Sequence, residues 1–158
     1  MRTYGDLQMS LMRSLGADPT QLSWSELYSA LQTGAVDGNM NGYQTLYSGS
    51  LHEVQPYITE VNATLSLYDF LANQAAWDKL SPDTQALLQE CAEEAAKWGR
   101  DYMSKTEAEV KKEMIDYGVK VYVPTAEELL AFKEGAAPTI EEYKKIVGPE
   151  ACAAWGVE

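Results

Sequence analysis

Between Pro82 and Tyr117 the chain has no further proline and a single glycine, Gly99. Over the same stretch Leu87, Leu88, Cys91, Ala95, Trp98, Tyr102, Val110, Met114 and Tyr117 recur mostly three or four residues apart, as one apolar stripe of a helix does. Ser81-Pro82-Asp83 supplies an N-cap, a proline at the first helical position and an acid in the first turn. Gly118 supplies the stop. An interior glycine costs about 1 kcal/mol, too little to break a helix packed along its length. The spacing therefore predicts one continuous helix over 82–117, on the order of 50 Å long, which exceeds the diameter of a small domain.

Around that helix the punctuation is of the α/β kind. Leu7, Met9, Leu11, Met12 and Leu15 suit a short helix stopped by Gly16. Ser23-Trp24-Ser25-Glu26 has the form of a capping box, with Leu27, Ala30 and Leu31 on one face and Gly34 as the stop. Ala35 to Gly38 reads as a short strand or turn, Asn39 to Gly42 as turn-rich, and Tyr43 to Gly49 as a helical turn or two. Val54 to Val61 and Ala63 to Ala72 read as two strands, and Val119 to Val123 as a third closed by Pro124. Thr125 to Glu128 and Thr139 to Glu142 have capping-box form and are expected to open helices that end near Gly135 and Gly148, with a short tail after Pro149. No composition shift marks a domain boundary, so residues 1–158 are expected to form a single compact unit with the long helix.

Several functions are excluded by composition. The 158 residues are 46% hydrophobic and 10% aromatic, enough for a core. With 24 acidic against 12 basic side chains the formal charge is -12, which repels phosphate backbones and anionic lipid, so nucleic acid is a poor partner. The same field slows an anionic solute unless a local cation offsets it, which makes a well-placed arginine matter more than the total. No apolar run is long enough to span a bilayer, and no export segment follows Met1. Cys91 and Cys152 have neither metal-ligand nor redox spacing, and Cys91 is read as core. His52, the single histidine, is read as solvated or at a helix end, and nothing else resembles a histidine-assisted nucleophile. Glycine-rich phosphate loops, GxSxG elbows and HExxH motifs are absent, and the paired glutamates read as surface charge. No enzyme, cofactor or metal is expected.

Leu15-Gly16-Ala17-Asp18-Pro19-Thr20 and the block Trp24-Ser25-Glu26-Leu27-Tyr28-Ser29-Ala30-Leu31-Gln32-Thr33-Gly34-Ala35-Val36-Asp37-Gly38 resemble the DctP-type receptors of tripartite ATP-independent periplasmic (TRAP) transporters. The likeness continues through Asn41, His52-Glu53-Val54-Gln55, Tyr57, Asn62, Trp77 to Leu80, Pro82 to Gln85, the long helix and Gly118-Val119-Lys120-Val121, and so covers essentially the whole chain. It implies an α/β, periplasmic-binding-protein-like fold, mostly one lobe plus the long backing helix of a two-lobed receptor. It further implies that the lobes close over a small organic acid and hand it to TRAP membrane subunits.

The resemblance also assigns residues. Arg2 falls where the family pairs an arginine with the solute carboxylate, and a guanidinium fork suits that pairing; read alone, Arg2 is a solvated terminal residue. Asn41 falls on a solute-contacting asparagine, beside its plain reading as an Asn-Gly turn. Trp24 falls on an aromatic lining the cleft, beside its reading as core. Glu26 is structural, and Tyr43, Tyr68 and Phe70 are further candidates for lining. Three departures accompany the match: the family's amino-terminal lobe, export signal and first strands would precede Met1, the usual Gln-Glu-Asn-Pro turn is Asn39-Met40-Asn41-Gly42, and Gly5 stands where a polar residue is common. The isolated chain is accordingly expected to bind solute weakly or not at all, and to self-associate through the face the other lobe would cover. An intact receptor would be periplasmic or extracellular, held at the membrane by its transporter.

Overall fold

The computed structural model describes residues 1–64, 67–154 and 156. By proximity the chain divides into two compact units that composition does not mark: Met1–Val61 with Met114–Glu158, and Asn62–Glu113.

In the first unit, strand β1 (Arg2–Thr3) is followed by helix α1 (Asp6–Ser14) and strand β2 (Thr20–Gln21). β1 and β2 pair in parallel, Arg2 opposite Thr20 and Thr3 opposite Gln21, with α1 as the crossover that parallel strands require. Both strands escape a reading by periodicity because two residues hold no alternation to detect. α1 ends as expected at Gly16, whose φ of +83° suits glycine. Helix α2 (Trp24–Gln32) buries Leu27 and Leu31. The expected capping box at its start does not form: the Ser23 hydroxyl donates to the Glu26 carboxylate instead of accepting from the helix backbone. Ala35 to Asp37 is a bend and Gly38 is irregular, so no strand forms there.

Helix α3 (Tyr43–Ser48) and a turn of 3-10 helix at Leu51–Glu53 bury Leu46 and Leu51. Strand β3 (Tyr57–Thr59) pairs in parallel with strand β4 (Lys120–Tyr122), Ile58 opposite Val121. Both strands lie inside expected stretches, and β3 is the shorter relative to its expectation. Helix α6 (Ala126–Gly135) opens on a complete capping box, in which Thr125 accepts from the Glu128 N–H and the Glu128 side chain accepts from the Thr125 N–H. Helix α7 (Ala137–Ala154) begins before Thr139, so the second expected box is not a cap. Thr139 is instead buried, and its hydroxyl lies 3.2 Å from that of Ser10 and 3.3 Å from that of Ser14, tying α7 to α1. Gly148, at φ +81° and ψ 169°, breaks α7 where the stop was expected, but Pro149–Ala154 resumes as helix rather than trailing as a tail. Leu27 and Met114 are fully buried, with Met12, Leu31, Val36, Leu46, Leu51 and Val119 completing this unit's core.

The second unit contains helix α4 (Gln74–Trp77) and most of helix α5 (Pro82–Tyr117), which continues into the first unit. α5 is one unbroken helix of 36 residues with the expected bounds. Ser81 caps it by accepting from the Thr84 N–H at 3.2 Å. At its far end the Gly118 and Val119 N–H groups donate to Ile115 and Met114 carbonyls, both at 2.9 Å, with Gly118 at φ +120°. The stripe that marked this helix is buried at Val110 and Met114 but not along its earlier turns, where Leu87, Leu88, Trp98 and Tyr102 are all exposed. Cys91 is exposed as well and is not core, because a stripe identifies the helix without supplying anything to cover it. The strand expected from Ala63 to Ala72 is not formed among the described residues, and Leu65 and Ser66 lie outside them. Among the described residues no strand pairs with this segment, and propensity alone does not hold one.

Candidate functional site

Arg2 is not a frayed terminus. Its backbone is held on both sides, by pairing with β2 and by donation from the Arg2 N–H to the Gly38 carbonyl at 2.7 Å. The chain-terminal ammonium of Met1 donates to the Asp18 carbonyl at 2.8 Å. A side chain leaving so fixed a strand is preorganised, and that of Arg2 is 5% exposed. Its Nε donates to the Leu22 carbonyl at 3.0 Å. Its guanidinium carbon lies 5.5 Å from the centre of the Tyr4 ring and 5.9 Å from that of Trp24, within cation-π range. Burial pushes its pKa below the ordinary arginine value, and Tyr4 acts in the opposite direction. Among the described residues no carboxylate pairs with it, so the two Nη groups of the fork are unspent.

Trp24 is the first residue of α2 and is 44% exposed, so it is not core. Its six-membered ring rests on Gly49, where an added Cβ would come within 2.8 Å of ring carbon Cζ2. Only glycine admits that approach without displacing the indole. Tyr4, Leu22 and Gly49 thus hold the Arg2–Trp24 pair, and residue types did not point to them. Tyr4 had a signal, since on an extended segment it shares a side with Arg2.

Asn41 stands in the irregular stretch between α2 and α3, three residues after the Gly38 carbonyl that receives the Arg2 N–H. It is held by a chain of side-chain amides. Asn41 Nδ2 donates to Asn39 Oδ1 at 2.6 Å, Asn39 Nδ2 donates to Gln55 Oε1, and Gln55 Nε2 donates to the Asp37 carbonyl at 3.3 Å. Tyr43, at the start of α3, donates its phenolic hydrogen to Glu60 at 2.6 Å. Glu26 is engaged by Ser23 and serves structure. Tyr68 and Phe70 belong to the second unit and are 91% and 69% exposed.

His52 stands half-buried in the turn of 3-10 helix at Leu51–Glu53, as its reading at a helix end expects. Its ring stacks on Tyr47 with centroids 5.1 Å apart and meets the edge of Tyr117 at 5.0 Å, and its Nδ1 is buried without a hydrogen-bond partner among the described residues. No group of three His, Cys, Asp or Glu side chains suited to a metal occurs among the described residues. What the first unit does offer is a preorganised cation between two aromatic rings, with an amide chain on the loop beside its strand. Those groups can pair an anion and accept or donate single hydrogen bonds.

The family described as bacterial extracellular solute-binding protein, family 7 (DctP) matches residues 1–146. The C4-dicarboxylate-binding periplasmic protein DctP of Rhodobacter capsulatus is 31% identical over 144 residues, which is 90% of this chain and 43% of that protein. The periplasmic ectoine-binding protein of the TeaABC TRAP transporter of Halomonas elongata is 30% identical with a TM-score of 0.82, over 93% of this chain and 48% of that one. A TRAP periplasmic solute-binding protein of Ralstonia eutropha with bound (S)-2-acetolactate is 29% identical with a TM-score of 0.83, over 93% of this chain and 49% of that one. The chain therefore spans about half the length of the relatives it matches. Its fold, including the long helix, is that of one lobe and the backing helix of a periplasmic binding protein. The chain belongs to the DctP family of bacterial extracellular solute-binding proteins, the receptors of TRAP transporters.

Proposed function

We propose that this chain is the carboxylate-reading part of an extracytoplasmic receptor that captures a small organic acid and delivers it to TRAP membrane subunits. The observation that carries the reading is the buried, preorganised Arg2 fork. An unpaired cation held away from water is costly, and a structure keeps one where a partner arrives from outside. A carboxylate is the partner whose two oxygens match two parallel N–H groups. Trp24 and Tyr4 flank the fork and would shield the pair from water, and Asn41 adds an amide contact. Tyr43 is assigned to lining through its link to Glu60. The role is binding and not catalysis, in keeping with relatives named as solute-binding proteins.

The test is a titration of the 158-residue chain followed by nuclear magnetic resonance, which reads millimolar affinities, with acetate, succinate and a neutral sugar. The acids are expected to bind weakly and saturably, because the second lobe would normally complete the desolvation of the solute. Arg2→Ala is expected to abolish that binding, since losing the arginine of a buried charge pair costs about 2–5 kcal/mol. Acids bound equally well without Arg2, or a preference for the sugar, would defeat the reading.

A second reading, of a chain that self-associates without transporting anything by itself, draws support from the exposed side chains of Leu87, Trp98, Tyr102 and Phe70.

A further inference from the structure

The backbone does not require the glycine on which Trp24 rests. Gly49 closes α3 at φ -87° and ψ 4°, where any residue fits, and its N–H donates to the Thr45 carbonyl at 3.1 Å. The residue in the left-handed region is the next one: Ser50 has φ 55° and ψ 20°, a conformation that favours glycine. The chain thus carries a serine where the turn favours glycine, and a glycine where the turn makes no such demand. What position 49 demands is space. A Cβ there would stand 2.8 Å from Cζ2 and 3.1 Å from Cη2 of Trp24, with the Thr45 carbonyl oxygen 3.2 Å away. That oxygen is backbone of α3, tied to the Gly49 N–H, so the indole is the group that would have to move. The same indole lies 5.9 Å from the Arg2 guanidinium carbon, so the ring that meets Gly49 also flanks the cation.

We infer that Gly49 is a positioning residue for carboxylate recognition: by carrying no side chain it seats the Trp24 indole against Arg2, and a side chain at position 49 drives that ring from the place that orients the guanidinium. This rests on the reading of Arg2 and Trp24 as the solute site. Gly49 acts through Trp24 and needs no contact with the solute. Three groups hold the Arg2 side chain, the Leu22 carbonyl on Nε and the rings of Tyr4 and Trp24. Moving one ring lets the fork turn and admits water to it. A cation that has to be ordered at the moment of binding holds its partner less tightly than one already in place.

The experiment is the titration with acetate and succinate, run on Gly49→Ala beside the 158-residue parent. Gly49→Ala is expected to bind both acids about tenfold more weakly, on the scale of a desolvated cation-π contact. Ser50→Gly relieves the left-handed residue of the same turn, adds nothing beside the indole, and is expected to keep the parent's affinity. Trp24→Phe keeps a ring but has no atoms at Cζ2 and Cη2, so in that background Gly49→Ala is expected to have no effect. Where affinity is too weak to measure, the Arg2 Nε–H resonance, which ring currents shift, reports the same contact. Gly49→Ala is expected to move that resonance in the chain with Trp24 and to leave it in place in Trp24→Phe. Unchanged affinity in Gly49→Ala, an equal loss in Ser50→Gly, or the same resonance shift with and without the indole would each overturn the inference. If acids bind through Arg2 with no regard for position 49, only this inference fails. If no acid shows Arg2-dependent binding, the carboxylate reading fails and this one falls with it. Should Gly49→Ala not fold, the parent decides: nuclear Overhauser contacts from Trp24 Hζ2 and Hη2 to the Gly49 α-hydrogens are expected, and their absence would remove the seat that the inference requires.

Discussion

The Glu128 carboxylate illustrates how one residue can close an element and sense pH together. Tyr122 donates its phenolic hydrogen to both carboxylate oxygens, at 2.6 and 2.7 Å, while the Thr125 N–H donates to one of them at 2.7 Å. The Tyr122 hydrogen bond, then those with Thr125, hold the Glu128 pKa below its ordinary 4.5, and the same bond raises that of Tyr122. A carboxyl with a depressed pKa in the folded state adds stability that is fully present above its unfolded pKa and is lost as pH falls through the folded value. Glu128→Gln is therefore expected to melt below the parent at neutral pH, with the two melting curves converging as pH is lowered below about 4. Melting temperatures of both proteins over that range check it, and a gap that stays constant with pH would show that the charge is not responsible.

Among the elements, α5 shows what a strong local signal can and cannot establish. Its cap, its first-turn acid, its stop and its unbroken spacing all agree, and the helix runs from Pro82 to Tyr117 through Gly99. Beyond its chain neighbours and the helix's own backbone, no atom of the described residues lies within 4 Å of where a Gly99 Cβ would stand, so an added methyl meets open space. Gly99→Ala is expected to stabilise the protein by about 1 kcal/mol through helix propensity alone, measurable by chemical denaturation; destabilisation would mean that the helix bends or packs at that point in solution. The same stripe misled on Cys91, which is exposed, because periodicity reports the side of a helix and not its neighbours. The short strands were harder still. β1 and β2 have two residues each, and their pairing depends on Met1, Thr3 and Leu22 meeting in space.

For the molecule as a whole, the balance of covered and uncovered apolar surface is the governing quantity. The first unit buries Leu27, Leu51 and Met114 to 2% exposure or less, whereas in the second unit Leu67, Tyr68, Phe70, Leu71, Leu87 and Trp98 are each more than half exposed. Among the described residues each sheet has two strands, leaving open edges. Apolar surface on that scale tends to be covered by whatever apolar surface is available. The 158-residue chain by itself is therefore expected to self-associate at micromolar concentration. Light scattering reads this directly, and a monodisperse monomer that binds no apolar dye would count against it.

The long helix, the α2 block with its stop at Gly34, the complete Thr125 cap and the family pattern were all legible in the sequence, because each is set by residues within a few positions of one another. The site was legible only in part. Arg2, Trp24 and Asn41 could be named by pattern, but read alone Arg2 was a solvated terminus and Trp24 was core. Only tertiary structure buried Arg2, by pairing its strand with residues near Thr20 and Gly38, and only tertiary structure seated Trp24 on Gly49. The direction of the Asn41 amide was decided by Gln55, fourteen positions further on, meeting a carbonyl at Asp37. Hydrogen-bond polarity and burial belong to groups brought together from distant positions, and no window of local sequence contains both partners.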